Sequence, residues 1–220
     1  MFDAIFFDLD GTLIDTESIA LRTGLEVFAR LGHPADETFM HELIGKDIPS
    51  ATALIGARFP GIDLDRLGHE QRAAFDAALT TDLRLKPGAR ELLAALPVAS
   101  AIVTSSGHAE AHHKIGLTGL GPAFCQIITR ADVLAPKPDP EPYLLAARRL
   151  GVDPARCLVF EDSEIGAQSA YRAGCTVVQV PDIVPASGKW AHHIAPDLLT
   201  GAAMAGLIPT GVKAEITEKD

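Results

Sequence analysis

Apolar residues along this chain gather into short runs, and most of the runs close on a turn or on acidic residues. Ala4-Ile5-Phe6-Phe7 is followed at once by Asp8-Leu9-Asp10-Gly11, which predicts a buried strand ending in a turn. Val98 to Val103, Gln126 to Thr129, Arg156 to Phe160 and Thr176 to Val180 repeat the pattern, being aliphatic or β-branched and bounded by Gly, Pro, Ser or Asp. Between them lie segments of helical length at His108 to Ile115, Glu141 to Leu150 and Ile165 to Ala173. This alternation predicts an α/β fold, a Rossmann-like parallel sheet with helices on both faces. Ligands of such sheets bind beyond the carboxyl ends of the strands, so the chemistry is expected just after each strand.

From Thr16 to Leu85 the alternation stops. Helical patterns at Ala20 to Leu31 and His69 to Leu79 have no convincing strand beside them, so residues 16–85 are expected to form an inserted helical cap domain. Residues 1–15 and 86–220 would then form the sheet-based core, which the chain re-enters at Lys86-Pro87-Gly88, with a new helix over Ala89 to Leu96. Past Ile183 the pattern thins: His192 to Ala195 suggests an edge strand, Asp197 to Ala205 a last helix, and Lys213 to Asp220 a frayed end.

Composition narrows the class. The 220 residues are 47% hydrophobic and 22% charged, which suits one or two globular domains. A formal charge of -10 without any Lys/Arg cluster argues against a nucleic-acid partner. No apolar run approaches the ~20 residues of a membrane span, and Met1 to Phe7 lacks the basic start of a secretion signal. The expectation is a cytoplasmic monomer that binds a small molecule and no membrane. Cys125, Cys157 and Cys175 match no metal or redox spacing and are expected to be reduced, mostly buried thiols.

The residues after the strands carry the candidate chemistry. Asp8 and Asp10 follow the first, Thr104, Ser105 and Ser106 the second, and Glu161 and Asp162 the fourth, while Lys137 lies in the loop after the third. Carboxylates brought together repel one another unless a divalent cation neutralises them, and an all-oxygen set favours Mg²⁺. Hydroxyls and one ammonium would hold phosphate oxygens, and a carboxylate can attack phosphorus to form an aspartyl phosphate. If Asp8 is that nucleophile, Asp10 beside it can protonate the leaving oxygen and later deprotonate water, assistance typically worth ~10²–10⁴ in rate.

Asp8-Leu9-Asp10-Gly11-Thr12-Leu13, Thr104, Lys137 and Glu161-Asp162-Ser163, in that order, resemble the four motifs of haloacid dehalogenase superfamily phosphatases. The resemblance runs from residue 8 to about residue 180. It implies that Asp8 is the nucleophile, Asp10 the acid/base, and Thr104 and Lys137 phosphate-binding groups, with Asp162, Asp8 and the Asp10 carbonyl on the metal and Glu161 ligating or flanking it. It also implies a helical cap between the first two motifs, opening for substrate and closing against water. Ser105 and the cap-loop Lys46 are further candidates for phosphate or substrate contact. Asp10 sets the chain apart from the dehalogenases and from the phosphonate-cleaving relatives, which lack it.

The alternative within this subgroup is a β-phosphoglucomutase-like sugar phosphomutase. Such mutases carry a histidine early in the first cap helix, where this chain has Ala20, and a cap-loop arginine, where it offers Gly45-Lys46-Asp47-Ile48-Pro49. A receiver-like, non-catalytic phospho-Asp module would share Asp8, Thr104 and Lys137 but lacks so long an insertion after its first strand. Plainer readings stand beside these: Asp10-Gly11 as a tight turn, Asp162 and Ser163 as helix caps, His112 and His113 as surface histidines, and Trp190 as packing.

Overall fold

A computed structural model describes residues 1–44, 46 and 48–209, with Ile48 described by its backbone alone. Gly45, Asp47 and the expected frayed end at Lys213 to Asp220 lie outside the described residues. Among the described residues the strands are β1 Ala4–Phe7, β2 Ala99–Val103, β3 Gln126–Ile128, β4 Cys157–Glu161, β5 Thr176–Gln179 and β6 His193–Ile194. They form one sheet in the order β3-β2-β1-β4-β5-β6, every neighbouring pair parallel.

The helices are α1 Glu17–Arg30, α2 Glu37–Leu43, α3 Ile48–Arg58, α4 Leu64–Asp82, α5 Ala89–Ala94, α6 His108–Thr118, α7 Glu141–Leu150, α8 Glu164–Arg172 and α9 Leu198–Met204. β1 is apolar throughout, and β2 and β4 are apolar apart from Ser100 and Glu161, because both sheet faces are covered. Phe6 and its neighbours pack with Tyr143, Ala146 and Ala167 on one face. On the other, Phe7 stacks on Phe160 with ring centroids 5.1 Å apart and meets Phe124 edge-on at 6.0 Å.

The chain divides into two compact units, one of Met1–Asp15 with Arg84–Asp220 and one of Thr16–Leu83. The second unit is helical, and Val27, Phe28, Phe39, Phe59, Ile62 and Leu67 form its interior. It also carries an open pocket of about 410 Å³ lined by Ala20, Thr23, Gly24, Met40, Gln71, Arg72 and Phe75.

Several elements differ from the sequence expectation. α4 begins earlier than His69, because the Asp63 side chain accepts the Arg66 N–H at 2.9 Å and caps a turn that hydrophobic spacing does not reveal. α2 starts at a similar cap, Asp36 accepting from Phe39 N–H at 2.8 Å. α3 contains Pro49 and Gly56, which mask it in sequence. Cys157 and Cys175 are buried, and burial pushes both thiols up to about 12, but Cys125 is exposed. Trp190 packs edge-on against Tyr171 at 5.7 Å, and His112 and His113 are exposed. Among the described residues no helix is long and apolar enough to cross a membrane.

Candidate active site

Three adjacent strands deliver their successors to the carboxyl end of the sheet. β1 lies between β2 and β4, so Asp8, Thr104 and the Glu161-Asp162 pair emerge together. The Asp8 N–H donates to the Phe160 carbonyl at 3.0 Å and the Thr104 N–H to the Ile128 carbonyl at 2.9 Å, which carries the ladder past the strands and fixes both backbones. Lys137 reaches this point from the loop after β3, where its peptide bond to Pro138 is cis. Its ammonium donates to Asp8 Oδ1 at 2.6 Å, to Glu161 Oε1 at 2.6 Å and to the Val103 carbonyl at 2.8 Å. All three of its protons are used.

Glu161 is wholly buried and engaged on both oxygens. Besides Lys137, its Oε1 accepts the buried Tyr143 hydroxyl, and its Oε2 accepts Ser163 Oγ–H at 3.3 Å. Ser163 in turn caps α8 by accepting the Gly166 N–H at 3.1 Å. Two glycines leave room for these carboxylates. A Cβ on Gly166 would lie 2.0 Å from the Glu161 carboxylate, and one on Gly11, whose φ is +77°, would lie 2.5 Å from Asp162 Oδ2.

Charge in the cluster is unbalanced. Asp8, Glu161 and Asp162 each offer an oxygen, all within 4.8 Å of one another. Burial outweighs the Lys137 ammonium at Asp8, and Glu161 and Asp10 add repulsion, so its carboxyl is pushed up to about 8. Asp162 moves the same way, through burial and then the charges of Asp8 and Glu161. Burial pulls Lys137 down, but Asp8 and Glu161 more than offset it and keep the ammonium charged. Three carboxylates thus share one ammonium, a deficit that a hard divalent cation would fill. The donor set, all oxygen and with no Cys or His, fits such an ion. Close by, Gln179 donates to the Asp162 carbonyl at 3.2 Å and keeps its own buried Oε1 unpartnered.

The sequence-predicted residues divide accordingly. Asp8, Lys137, Glu161 and Asp162 are brought together, and Thr104 is 4% exposed, its Oγ1 accepting the Ser106 N–H at 3.0 Å while its own proton remains to donate. Glu161, one of the three carboxylates, has both oxygens engaged by donors. The Asp10 side chain is near enough to Asp8 to repel its charge but is held by other donors: its Oδ1 accepts from Lys114 at 2.8 Å and its Oδ2 from Ser106 Oγ–H at 2.8 Å. Ser105 is exposed, and Ser106 takes the inward position. Lys46 is exposed on the helical unit. Sequence reasoning missed Lys114 and Tyr143. Lys114 reads as half of a surface Glu110–Lys114 pair and Tyr143 as ordinary helix core; only the fold gives them carboxylate partners. For Lys114, burial works against its charge, but Asp10 and Glu110 outweigh it and hold the ammonium above the usual lysine range.

Residues 5–180 match the haloacid dehalogenase-like hydrolase family. Hexitol phosphatase A of Escherichia coli (strain K12) is 38% identical over 191 residues, covering 79% of this chain and 81% of that protein. The validoxylamine A 7'-phosphate phosphatase of Streptomyces hygroscopicus subsp. limoneus is 35% identical over 182 residues, covering 79% of this chain and 83% of that protein. Among solved structures, a HAD family hydrolase from Deinococcus radiodurans R1 with bound phosphate and sodium superposes with a TM-score of 0.83 at 30% identity, covering 94% of this chain and 98% of that one.

Proposed function

From the premise that the chain belongs to the haloacid dehalogenase-like hydrolase family and is a phosphatase, we propose a Mg²⁺-dependent phosphomonoester hydrolase that works through an aspartyl phosphate at Asp8. The carrying observation is the meeting of Asp8, Glu161 and Asp162 within 4.8 Å around one ammonium. Asp8 and Asp162, with the Asp10 carbonyl, would hold the cation, and Glu161 would flank it. Bound there, Mg²⁺ supplies positive charge against the phosphate oxygens and lets Asp8 ionise.

The chain's own residues account for the rest. A carboxylate oxygen of Asp8 attacks phosphorus as the bond to the ester oxygen breaks. Lys137 and the Thr104 hydroxyl stabilise charge on the transferring oxygens. Asp10 gives its proton to the departing alkoxide and then takes one from the water that attacks the phosphorylated Asp8, returning the carboxylate and releasing inorganic phosphate. The helical unit carries none of these groups, and the choice of organic group is assigned to it. Two relatives are named as phosphatases of hexitol and of validoxylamine A 7'-phosphate, which, of a phosphorylated sugar and a small phosphorylated acid, supports the phosphorylated sugar as substrate.

An initial-rate panel of sugar, polyol and acid phosphates with Mg²⁺ tests the reading. Phosphate release that Asp8→Asn lowers on the order of 10⁴-fold or more is expected, the scale of losing a covalent nucleophile. No release from any member, or turnover that survives Asp8→Asn, sinks it. Isomerisation of a sugar phosphate without phosphate release would make the enzyme a mutase instead.

A further inference from the structure

Asp10 is held from the helix that follows the second strand. The Lys114 side chain, on α6, is 4% exposed, although lysine is almost never buried unless paired. Its ammonium lies 2.8 Å from Asp10 Oδ1, 2.8 Å from Glu110 Oε1 and 3.1 Å from Ser106 Oγ. The Ser106 Oγ–H donates to Asp10 Oδ2 at 2.8 Å, and its N–H donates to Thr104 Oγ1 at 3.0 Å. Both oxygens of Asp10 are therefore set by donors from one segment, α6 and the loop leading into it.

Helix stability does not explain this lysine. The Glu110–Lys114 pair, one turn apart on α6, is of a kind that contributes little to a helix, and an exposed ammonium would make it without being desolvated. What burial adds is a fixed direction for the Asp10 carboxylate, and a misplacement of ~1 Å in a reacting group can cost about 10²-fold in rate.

We propose that Lys114, together with Ser106, is a positioning residue for Asp10, holding the proton-transferring carboxylate in the orientation from which it serves the leaving oxygen and the attacking water. The proposal rests on the phosphatase reading above. Lys114 acts only through Asp10, so its contribution exists only while Asp10 is an aspartate.

The test is a double-mutant cycle with Mg²⁺ present. Lys114→Met, Lys114→Arg and Ser106→Ala are each placed in the wild-type and Asp10→Asn backgrounds. kcat/KM is measured on an alkyl phosphate and on p-nitrophenyl phosphate, whose leaving group departs without a proton and keeps the Asp10→Asn background measurable. Lys114→Met is expected to lower kcat/KM on the alkyl ester by about 10–100-fold and on the aryl ester by clearly less, Lys114→Arg recovering most of the loss. In the Asp10→Asn background the same substitution should change kcat/KM by less than ~2-fold.

Equal losses in both backgrounds, equal losses on both esters, or no loss would overturn the proposal. Should Lys114→Met fail to fold in a thermal melt, Ser106→Ala decides by the same criterion, with a smaller loss that must also vanish in Asp10→Asn. The phosphatase reading fails separately, through a wild-type enzyme inactive on both esters or an Asp8→Asn variant as active as wild type, and it then takes this proposal with it.

Discussion

The two compact units treat charge in opposite ways. In the sheet-based unit, Lys137 and Glu161 have side chains 4% and 0% exposed and are linked to each other, to Asp8 and to Tyr143. In the helical unit the interior is aromatic and aliphatic, and the ion pairs Arg30–Glu70, Arg66–Glu70 and Arg72–Asp76 lie outside, with arginine side chains 55%, 63% and 60% exposed. Exposed pairs cost little to form and contribute little. Buried ones pay a large desolvation penalty that well-packed apolar residues would avoid, so their presence points to chemistry rather than to stability. The contrast thus separates a unit whose charges are buried and call for a chemical reason from a unit whose charges lie at its surface and call for none.

The strongest challenge to the contrast is to remove the one ammonium at the site. Lys137→Met keeps the volume and leaves Asp8 and Glu161 buried without a cation, and it should destabilise the metal-free protein by about 3–5 kcal/mol. The midpoint of chemical denaturation, measured in the presence of a chelator, reads this directly. A loss under about 1 kcal/mol would mean that the carboxylates simply take up protons, and the claim of a strained, charge-poor site would fall.

Sequence legibility divides along the same line. The strands announce themselves as apolar runs, because a parallel sheet covered on both faces requires every residue of Ala4–Phe7 or Cys157–Phe160 to be apolar. Asp8, Thr104, Lys137 and Asp162 are legible as polar residues placed just after strands or in the loop beyond one. The helical unit is less so: α2 rests on one side-chain cap, and α3 carries a proline and a glycine that conceal it. The least visible features are partnerships across the fold. Lys114 meets Asp10, and Tyr143 meets Glu161, only because β1 lies between β2 and β4, with α7 packed over the sheet. No local pattern encodes either.

A second, smaller effect sharpens the electrostatic side. Asp8 sits near 8 in the metal-free fold, against about 3.9 for an unfolded aspartate, so between those values the folded state binds the extra proton. Stability of the metal-free protein from this group is therefore present at low pH and is lost as pH rises from about 4 to about 8. A cation competes for the same oxygen, and its effect runs the other way. At ~100 times Kd at pH 8, Mg²⁺ should stabilise by about 2.7 kcal/mol. With one proton displaced from a group near 8, binding weakens about 50-fold between pH 8 and pH 6, so at pH 6 the same concentration should give only about 0.6 kcal/mol. Thermal melts with and without Mg²⁺ at the two pH values measure the difference. An increment independent of pH would show that Asp8 is already ionised without the cation.

The smallest expected effect is the control from the other unit. Glu70 accepts from both Arg30 and Arg66, at 2.9 and 2.8 Å, and its carboxyl is held below the usual range by hydrogen bonds from those arginines, Arg66 first. Its position at the surface means that solvent shares the charge, and in Glu70→Gln, which keeps one acceptor oxygen, water can take the place of the other. The substitution should leave the denaturation midpoint almost where it is, with any residual shift shrinking as salt rises. Turnover of any phosphate ester should be unchanged. A loss comparable to that of Lys137→Met would break the contrast, because it would make the outer charges of the helical unit as consequential as the buried ones at the carboxyl end of the sheet.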